Sequence, residues 1–341
     1  MIRKFAAMVI LSVAVVALLG ACGDDEADAG EPVTLRMLSA WGTNNTSVES
    51  ALEIYGPAIS EATGGLVSLE FVAGPETVPV FEQVEPLKQG LFDIVLQTDG
   101  YNQINALAAG MNLNLAPYAI HKECGLIDEI SRLYEERGNV KWFPQVHGFG
   151  NVLFLRNDVD PSNLTTLDGL TLRTYPTVDA FVKSRGGVPT VLAGGDTYTA
   201  LDRGVVDGAI SGSTDFGESL SWNEVAGRIV APEIGATVAN FLINIDVWNS
   251  FSEKTQEQIE EGIAKASAEH FIVSAAAQKD SLERMVADGL EVVQLSDSAA
   301  QAWADSWFEA TSQSTVISRD AEEGPGIVEK AQCVKDKLEA A

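Results

Sequence analysis

The side chain best placed to do chemistry in this chain is an arginine. In Leu167-Asp168-Gly169-Leu170-Thr171-Leu172-Arg173-Thr174-Tyr175-Pro176, strand alternation puts Leu170 and Leu172 on the core side. Thr171, Arg173 and Tyr175 fall on the opposite face, and Pro176 ends the strand. Ligands of open α/β sheets sit beyond the carboxyl ends of the strands, which is where Arg173 would lie. A guanidinium grips a carboxylate through two parallel hydrogen bonds and keeps its charge when desolvated, so Arg173 suits capture of an organic acid. The same spacing also allows a structural ion pair between Arg173 and Asp179 or a neighbouring acid.

Other chemistry is sparse. The chain has no phosphate loop ending in Gly-Lys-Ser/Thr, and Gly148-Phe149-Gly150 lacks the third glycine of a dinucleotide turn. His121, His147 and His270 are scattered in the sequence, which offers neither a His-Glu-x-x-His zinc site nor a close histidine pair. Ser211-Gly212 is not a nucleophile elbow, because Ala209 stands where the first glycine belongs. Carboxylate pairs are everywhere among 49 acidic residues and read as solvated surface charge. The expectation is a protein without catalysis, cofactor or metal.

The elements that must position Arg173 follow from periodicity. Short apolar strands alternate with amphipathic helices from Val33 onward, the pattern of an α/β fold with mainly parallel strands. Strands are expected at 33–38, 66–72 and 92–97, with helices at 47–62, 81–90 and 101–109, then a helix at 126–137. The run 150–155 reads as a buried strand crossing to a second lobe. There the pattern restarts with strands at 170–174, 188–192 and 205–211 and helices at 178–185 and 199–203.

A strand at 239–247 returns the chain through the hinge. The tract 253–287 holds no proline and carries Ile259, Ile263, Ala266, His270, Val273 and Ala277 at helical spacing. That suits one long helix bracing both lobes. A coiled-coil partner is the competing view, but the seam is mostly alanine and has no leucine heptads. A strand at 290–295 and helices at 298–312 and 326–338 close the chain.

The first residues stand apart. Arg3 and Lys4, the apolar run 5–19 and Leu19-Gly20-Ala21-Cys22 read as an export signal. A membrane-spanning anchor is the alternative, but Gly20, Ala21 and the acidic tract after Cys22 close the run early for a span of roughly 20 residues. The junction resembles a bacterial lipoprotein box, which makes Cys22 a lipidated membrane tether and the acidic stretch after it a flexible leash. Lipid through Cys22 is then the chain's contact with the membrane, at the cell surface or in the periplasm.

Net charge is −27, with 22 basic residues, two of them in the signal. Nucleic acid and anionic lipid headgroups are therefore poor partners, and an anionic ligand must be captured by a local positive site against the global field. With Cys22 modified, Cys124 and Cys333 form an even pair in an oxidising compartment, which is the expectation for a disulfide, with two unpaired thiols as the alternative. Paired, they leave no thiolate for covalent catalysis.

At these residues the chain resembles the dicarboxylate-type substrate-binding proteins of tripartite ATP-independent periplasmic (TRAP) transporters. The segment 167–176 looks like that family's Leu-Lys-Gly-Leu-Lys-Ile-Arg-Val-Pro stretch, and Val205-Val206-Asp207-Gly208-Ala209 like its Val-Val-Asp-Gly-Ala-Glu-Asn. Glu61-Ala62-Thr63-Gly64-Gly65, Gly90-Leu91-Phe92-Asp93-Ile94 and the long helix fall in the family's order, so the resemblance spans about 33–312.

The resemblance implies a two-lobed α/β fold with hinge strands and a bracing helix, no catalysis, and delivery of an organic acid to a small and a large membrane subunit by a monomer. It divides the chain into a signal at 1–21, a leash at 22–32, lobe 1 at 33–149, lobe 2 mainly at 150–246 and, at 247–341, the brace with C-terminal helices returning to lobe 1.

Carried over residue by residue, Arg173 matches the family's carboxylate-binding arginine. Ser211 stands for its asparagine and Ile210 for the acid before it. A second arginine is replaced by Gly150 or its neighbours, with Arg156 farther along in a structural role. These departures favour a monocarboxylate, or a larger apolar or aromatic acid, over a simple dicarboxylate. Trp41, Asn44, Tyr101, Phe149, Tyr175, Phe216 and Trp222 lie in or near loops expected to face the cleft, where aromatic rings can sandwich an apolar ligand body. A binding protein of an ATP-driven importer or sensor, and a lipoprotein enzyme on a binding fold, are the competing functional readings.

Overall fold

A computed structural model of the chain describes residues 31–102 and 104–340. The export signal, Cys22 and most of the leash lie outside the described residues.

The first sheet runs in the order β2 (Val67–Ala73), β1 (Val33–Ser39), β3 (Ile94–Thr98), β10 (Val238–Asn244) and β4 (Val140–Val146). The second runs β11 (Glu291–Gln294), β9 (Arg228–Ile234), β5 (Asn151–Leu155), β8 (Gly208–Ser211), β6 (Thr171–Thr174) and β7 (Val188–Val191). β1 is parallel to β2 and β3, and β6 to β7 and β8, whereas β10 and β5 run antiparallel to their neighbours. Helices cover both faces, so β5 and β10 are buried along their whole length and read as unbroken apolar runs rather than alternating ones.

Each lobe has its own core. Leu35, Met37, Val95, Leu96 and Leu242 belong to the first, and the second sheet carries one apolar cluster around Leu172 and Phe181 and another around Phe154 and Trp222. Two strands escape the sequence reading, each because it contains a proline. Pro144 is tolerated because β4 is an edge strand. Pro232 sits where the register of β9 against β5 slips, between the pairs Asn151–Ile234 and Leu153–Val230. The helix expected at 101–109 is instead a 3₁₀ segment, Ala106–Asn112, capped by the Asn105 side chain.

The crossing between lobes differs from the expectation. The strands near 150–155 and 239–247 do not span the lobes: β5 lies wholly in the second sheet and β10 in the first. The crossings are the short links 147–150 and 235–237, which run side by side, with His147 N donating to Thr237 O at 3.4 Å and Thr237 N to Phe149 O at 3.3 Å. Two glycines let the links pack closely. A Cβ on Gly148 would stand 2.1 Å from the Phe271 carbonyl oxygen, and one on Gly150 2.5 Å from that of Gly235.

The brace is a single helix, Glu253–Ala287, capped by Ser252. It packs against the helix Gly56–Ala62 of lobe 1 and the helix Thr214–Ser219 of lobe 2. Over the hinge its buried face turns polar, and Gln278 ties it to the second lobe by hydrogen bonds with Thr214 and Glu233, whose other oxygen accepts from Gly150 N. After the brace the chain does not return directly to lobe 1. β11 joins the second sheet and the helix Asp297–Ala310 buries Trp303 and Trp307 in the second lobe's core. The last helix, Gly324–Ala340, does pack on lobe 1, and Cys333 is bonded to Cys124 with Cα atoms 5.9 Å apart.

Candidate ligand-binding site

A cavity lies between the lobes at the carboxyl ends of β1, β3, β6 and β8. It opens toward a wider mouth lined by Pro79, Phe81, Gly194 and Asp196 among others. Arg173 is the only charged residue among the described residues lining the inner cavity.

Arg173 is 1% exposed. Its Nε donates to Leu192 O at 3.1 Å and its Nη1 to Ile210 O at 2.7 Å, while Nη2 is buried without a hydrogen-bond partner. The ion pair with Asp179 does not form: that carboxylate accepts from Thr174 Oγ1 at 2.6 Å, and no carboxylate lies within ion-pair distance of Arg173 among the described residues. The guanidinium carbon instead stands 5.2 Å from the Trp222 ring centroid and 5.7 Å from that of Tyr175. Two carbonyls and two rings thus fix a cation whose Nη2 donors are unspent, an arrangement that can take a carboxylate.

Trp41 and Tyr101 from lobe 1, Phe149 from the hinge and Tyr175 and Phe216 from lobe 2 line the same cavity. Asn44 sits farther out, at the mouth. Two expected residues stand behind the wall. Ser211 is fully buried, its hydroxyl donating to Ser213 O at 2.6 Å, because β8 continues into a tight turn that needs that bond. Trp222 is also fully buried, edge-on to Phe154 and Phe216, and backs the guanidinium from the side away from the cavity.

Several lining residues escape the sequence reading: Asn45, Ser47, Thr98, His147, Ser213 and Thr237. Asn45 and Ser47 had a local signal, since Asn45 caps the helix that follows β1 by accepting from Ser47 N at 3.0 Å. The histidines need a correction. His147 and His270 are not scattered in space: the brace helix brings His270 Nε2 within 3.0 Å of His147 Nδ1 across 123 residues of sequence. His121 stays apart, and no cluster of three metal-ligating residues forms among the described residues.

Beyond the apolar contacts of Ala40 and Tyr101 with the second lobe's core, the lobes also touch at polar and close-packed points across the cleft. Gly100 of lobe 1 abuts Tyr175 of lobe 2, and Thr46 Oγ1 donates to Asp215 Oδ2. Tyr175 is held from the hinge side, its hydroxyl donating to Asn151 Oδ1.

Residues 160–314 match the family model described as DctP, bacterial extracellular solute-binding protein, family 7. A monocarboxylate 2-oxoacid-binding periplasmic protein of Nostoc sp. is 25% identical over 292 residues, covering 80% of this chain and 77% of the relative. Among solved structures, a TRAP periplasmic solute-binding protein of Marinobacter aquaeolei in an apo open form superposes with a TM-score of 0.74 at 18% identity, covering 88% of this chain and 99% of that one. One of Desulfovibrio salexigens with bound orotic acid superposes with a TM-score of 0.73 at 19% identity, covering 88% and 99%. The chain has the two-lobed fold of the TRAP periplasmic solute-binding proteins, and its residues 160–314 carry the sequence pattern of the DctP family.

Proposed function

We propose that this chain is the extracytoplasmic solute-binding protein of a TRAP-type transporter, which captures a monocarboxylate by closure of its two lobes and delivers it to the membrane subunits. The observation that carries the reading is Arg173: a buried guanidinium, held by backbone carbonyls, with its Nη2 donors unspent in the wall of an otherwise uncharged cavity. One fixed cation neutralises one carboxylate, and a second carboxylate in the same low-dielectric space would remain uncompensated. Rings of Trp41, Tyr101, Phe149 and Phe216 supply an apolar surround for the rest of the ligand. The Nostoc relative's name, a binder of monocarboxylate 2-oxoacids, and the orotic acid bound to the Desulfovibrio protein are consistent with a ligand of this size and charge.

The closest test is Arg173→Met against a panel of monocarboxylates and dicarboxylates by calorimetry. Wild type binds a monocarboxylate and the variant loses about 2–5 kcal/mol of affinity, the loss expected when one partner of a buried charge pair is removed. Retention of wild-type affinity by the variant would overturn the assignment.

Tethering belongs to the same reading. Cys22, after the small-residue junction Leu19-Gly20-Ala21, is the lipidated residue that keeps the protein beside its membrane subunits. In cells carrying Cys22→Ser, the protein moves from the membrane fraction to the soluble one.

A further inference from the structure

We propose that His147 is a further specificity-determining residue of this cavity, an imidazole N–H donor aimed at the ligand and locked in that tautomer by His270. The inference rests on the monocarboxylate reading for the identity of the ligand's other end, and on geometry for everything else.

His147 lines the cavity from the hinge, its ring stacked on Phe149 with centroids 4.7 Å apart and 15° between planes. Its Nδ1 faces His270 Nε2 at 3.0 Å, and its Nε2 makes a long contact with Ser47 Oγ at 3.5 Å, in which either atom can donate. His270 is fully buried, edge-on to Tyr55, and its Nδ1 has no hydrogen-bond partner. No carboxylate pairs with either ring among the described residues, and burial holds both imidazoles neutral.

Two neutral rings share a single proton across the 3.0 Å contact, which leaves two arrangements. If His147 Nδ1 carries it, His270 must keep its own proton on Nδ1, where a buried donor has no acceptor. If His270 Nε2 carries it, the unpartnered His270 Nδ1 is a bare lone pair and the remaining proton sits on His147 Nε2, where Ser47 Oγ accepts it only over a long 3.5 Å and a ligand in the cavity can compete for it. Both arrangements leave His270 Nδ1 unmet, but a bare buried lone pair is tolerated better than an orphaned buried N–H, so the second arrangement prevails.

The cavity therefore presents two donors of different kinds: a charged one from Arg173 and a neutral one from His147. The ligand class that satisfies both is a monocarboxylate with a second, uncharged acceptor, a carbonyl or hydroxyl oxygen. A second carboxylate would meet only a neutral imidazole in a dry site, and an amine would meet a donor.

The test has two arms. The chain contains three histidines, so a long-range ¹H–¹⁵N correlation spectrum of ¹⁵N-histidine protein resolves every tautomer. His147 is expected with its proton on Nε2 and His270 with its proton also on Nε2; a proton on His147 Nδ1 overturns the proposal whatever the ligand. Calorimetry then compares 4-methyl-2-oxopentanoate with 4-methylpentanoate, which lacks only the oxo oxygen. Wild type prefers the oxo acid by roughly ten- to hundredfold, the cost of leaving a buried donor unmet. His147→Phe keeps the stacking on Phe149 and binds the two acids equally.

Failure of the wild type to bind either acid overturns the monocarboxylate reading. A wild type that binds both acids equally, or a His147→Phe that weakens both alike, overturns the role of His147 and leaves that reading standing.

Discussion

Gly100 is a point where a side chain on lobe 1 would collide with lobe 2. A Cβ built there stands 2.9 Å from Tyr175 Cδ2, 3.7 Å from Thr177 Oγ1 and 3.8 Å from Pro176 Cδ, all on the opposite lobe. Carbon atoms rest at about 3.5–4.0 Å, so Gly100→Ala demands a retreat of roughly 0.6–1 Å. Tyr175 cannot easily supply it, because its hydroxyl is tied to Asn151 in the hinge and its ring lies against the Arg173 guanidinium. When the lobes are apart the methyl touches nothing across the cleft, so the cost falls on the closed form alone.

Overpacking of this kind costs about 1–3 kcal/mol, which at about 1.4 kcal/mol per factor of ten raises Kd by roughly five- to a hundredfold. Calorimetry on the variant measures that loss, and small-angle scattering on the ligand-saturated protein measures incomplete compaction. The unliganded Tm stays within a degree or two of wild type. A variant that binds within twofold of wild type and compacts fully would refute the premise that Gly100 and Tyr175 meet in the binding-competent form.

Two more outcomes follow from the core. Burial pushes the His121 imidazole down to about 4, that of His147 down to about 3 and that of His270 well below 6.5, so the stability these three contribute is present above pH 6.5 and drains as pH falls. Asp99 has the opposite sign. Burial pushes its carboxyl up to about 7 despite donation from Tyr134 and Trp142, so its contribution is present below pH 3.8 and is lost as pH rises through 7. The three histidines take up protons on unfolding while Asp99, with Asp179 and Glu233 also raised by burial, releases them, and the histidines dominate, so stability falls as pH drops from 6 to 5; urea midpoints that stay flat over that interval would contradict it. Reducing Cys124–Cys333, or replacing both with serine, removes a crosslink between positions 209 residues apart and lowers stability by about 2–5 kcal/mol. Ligand affinity is unchanged, because neither cysteine nor the helix Gly324–Ala340 lines the cavity; a large rise in Kd would tie that helix to the site.

Much of this molecule is legible without coordinates. Alternating apolar residues mark Arg173 as facing away from the Leu172 side, and it does. The proline-free tract 253–287 is one helix over those same residues. Cys124 and Cys333, left as an even pair, are bonded. Trp41, Tyr101, Phe149, Tyr175 and Phe216, picked from loops after strands, line one cavity. These readings depend on interactions between residues a few positions apart, or on chain-wide arithmetic, and both are written in order along the sequence.

What tertiary structure alone decided depends on distance in space. Ser211 and Trp222 stand behind the cavity wall rather than on it, because depth along a strand end is set by how the next turn packs. The hinge lies at 147–150 and 235–237 instead of within strands, because β5 and β10 must each spend their backbone hydrogen bonds inside a single sheet. His147 and His270 meet only because one long helix crosses both lobes and sets its buried face against the hinge. Local periodicity says which way a side chain points, but which residue it meets there is chosen by the packing of elements a hundred residues apart.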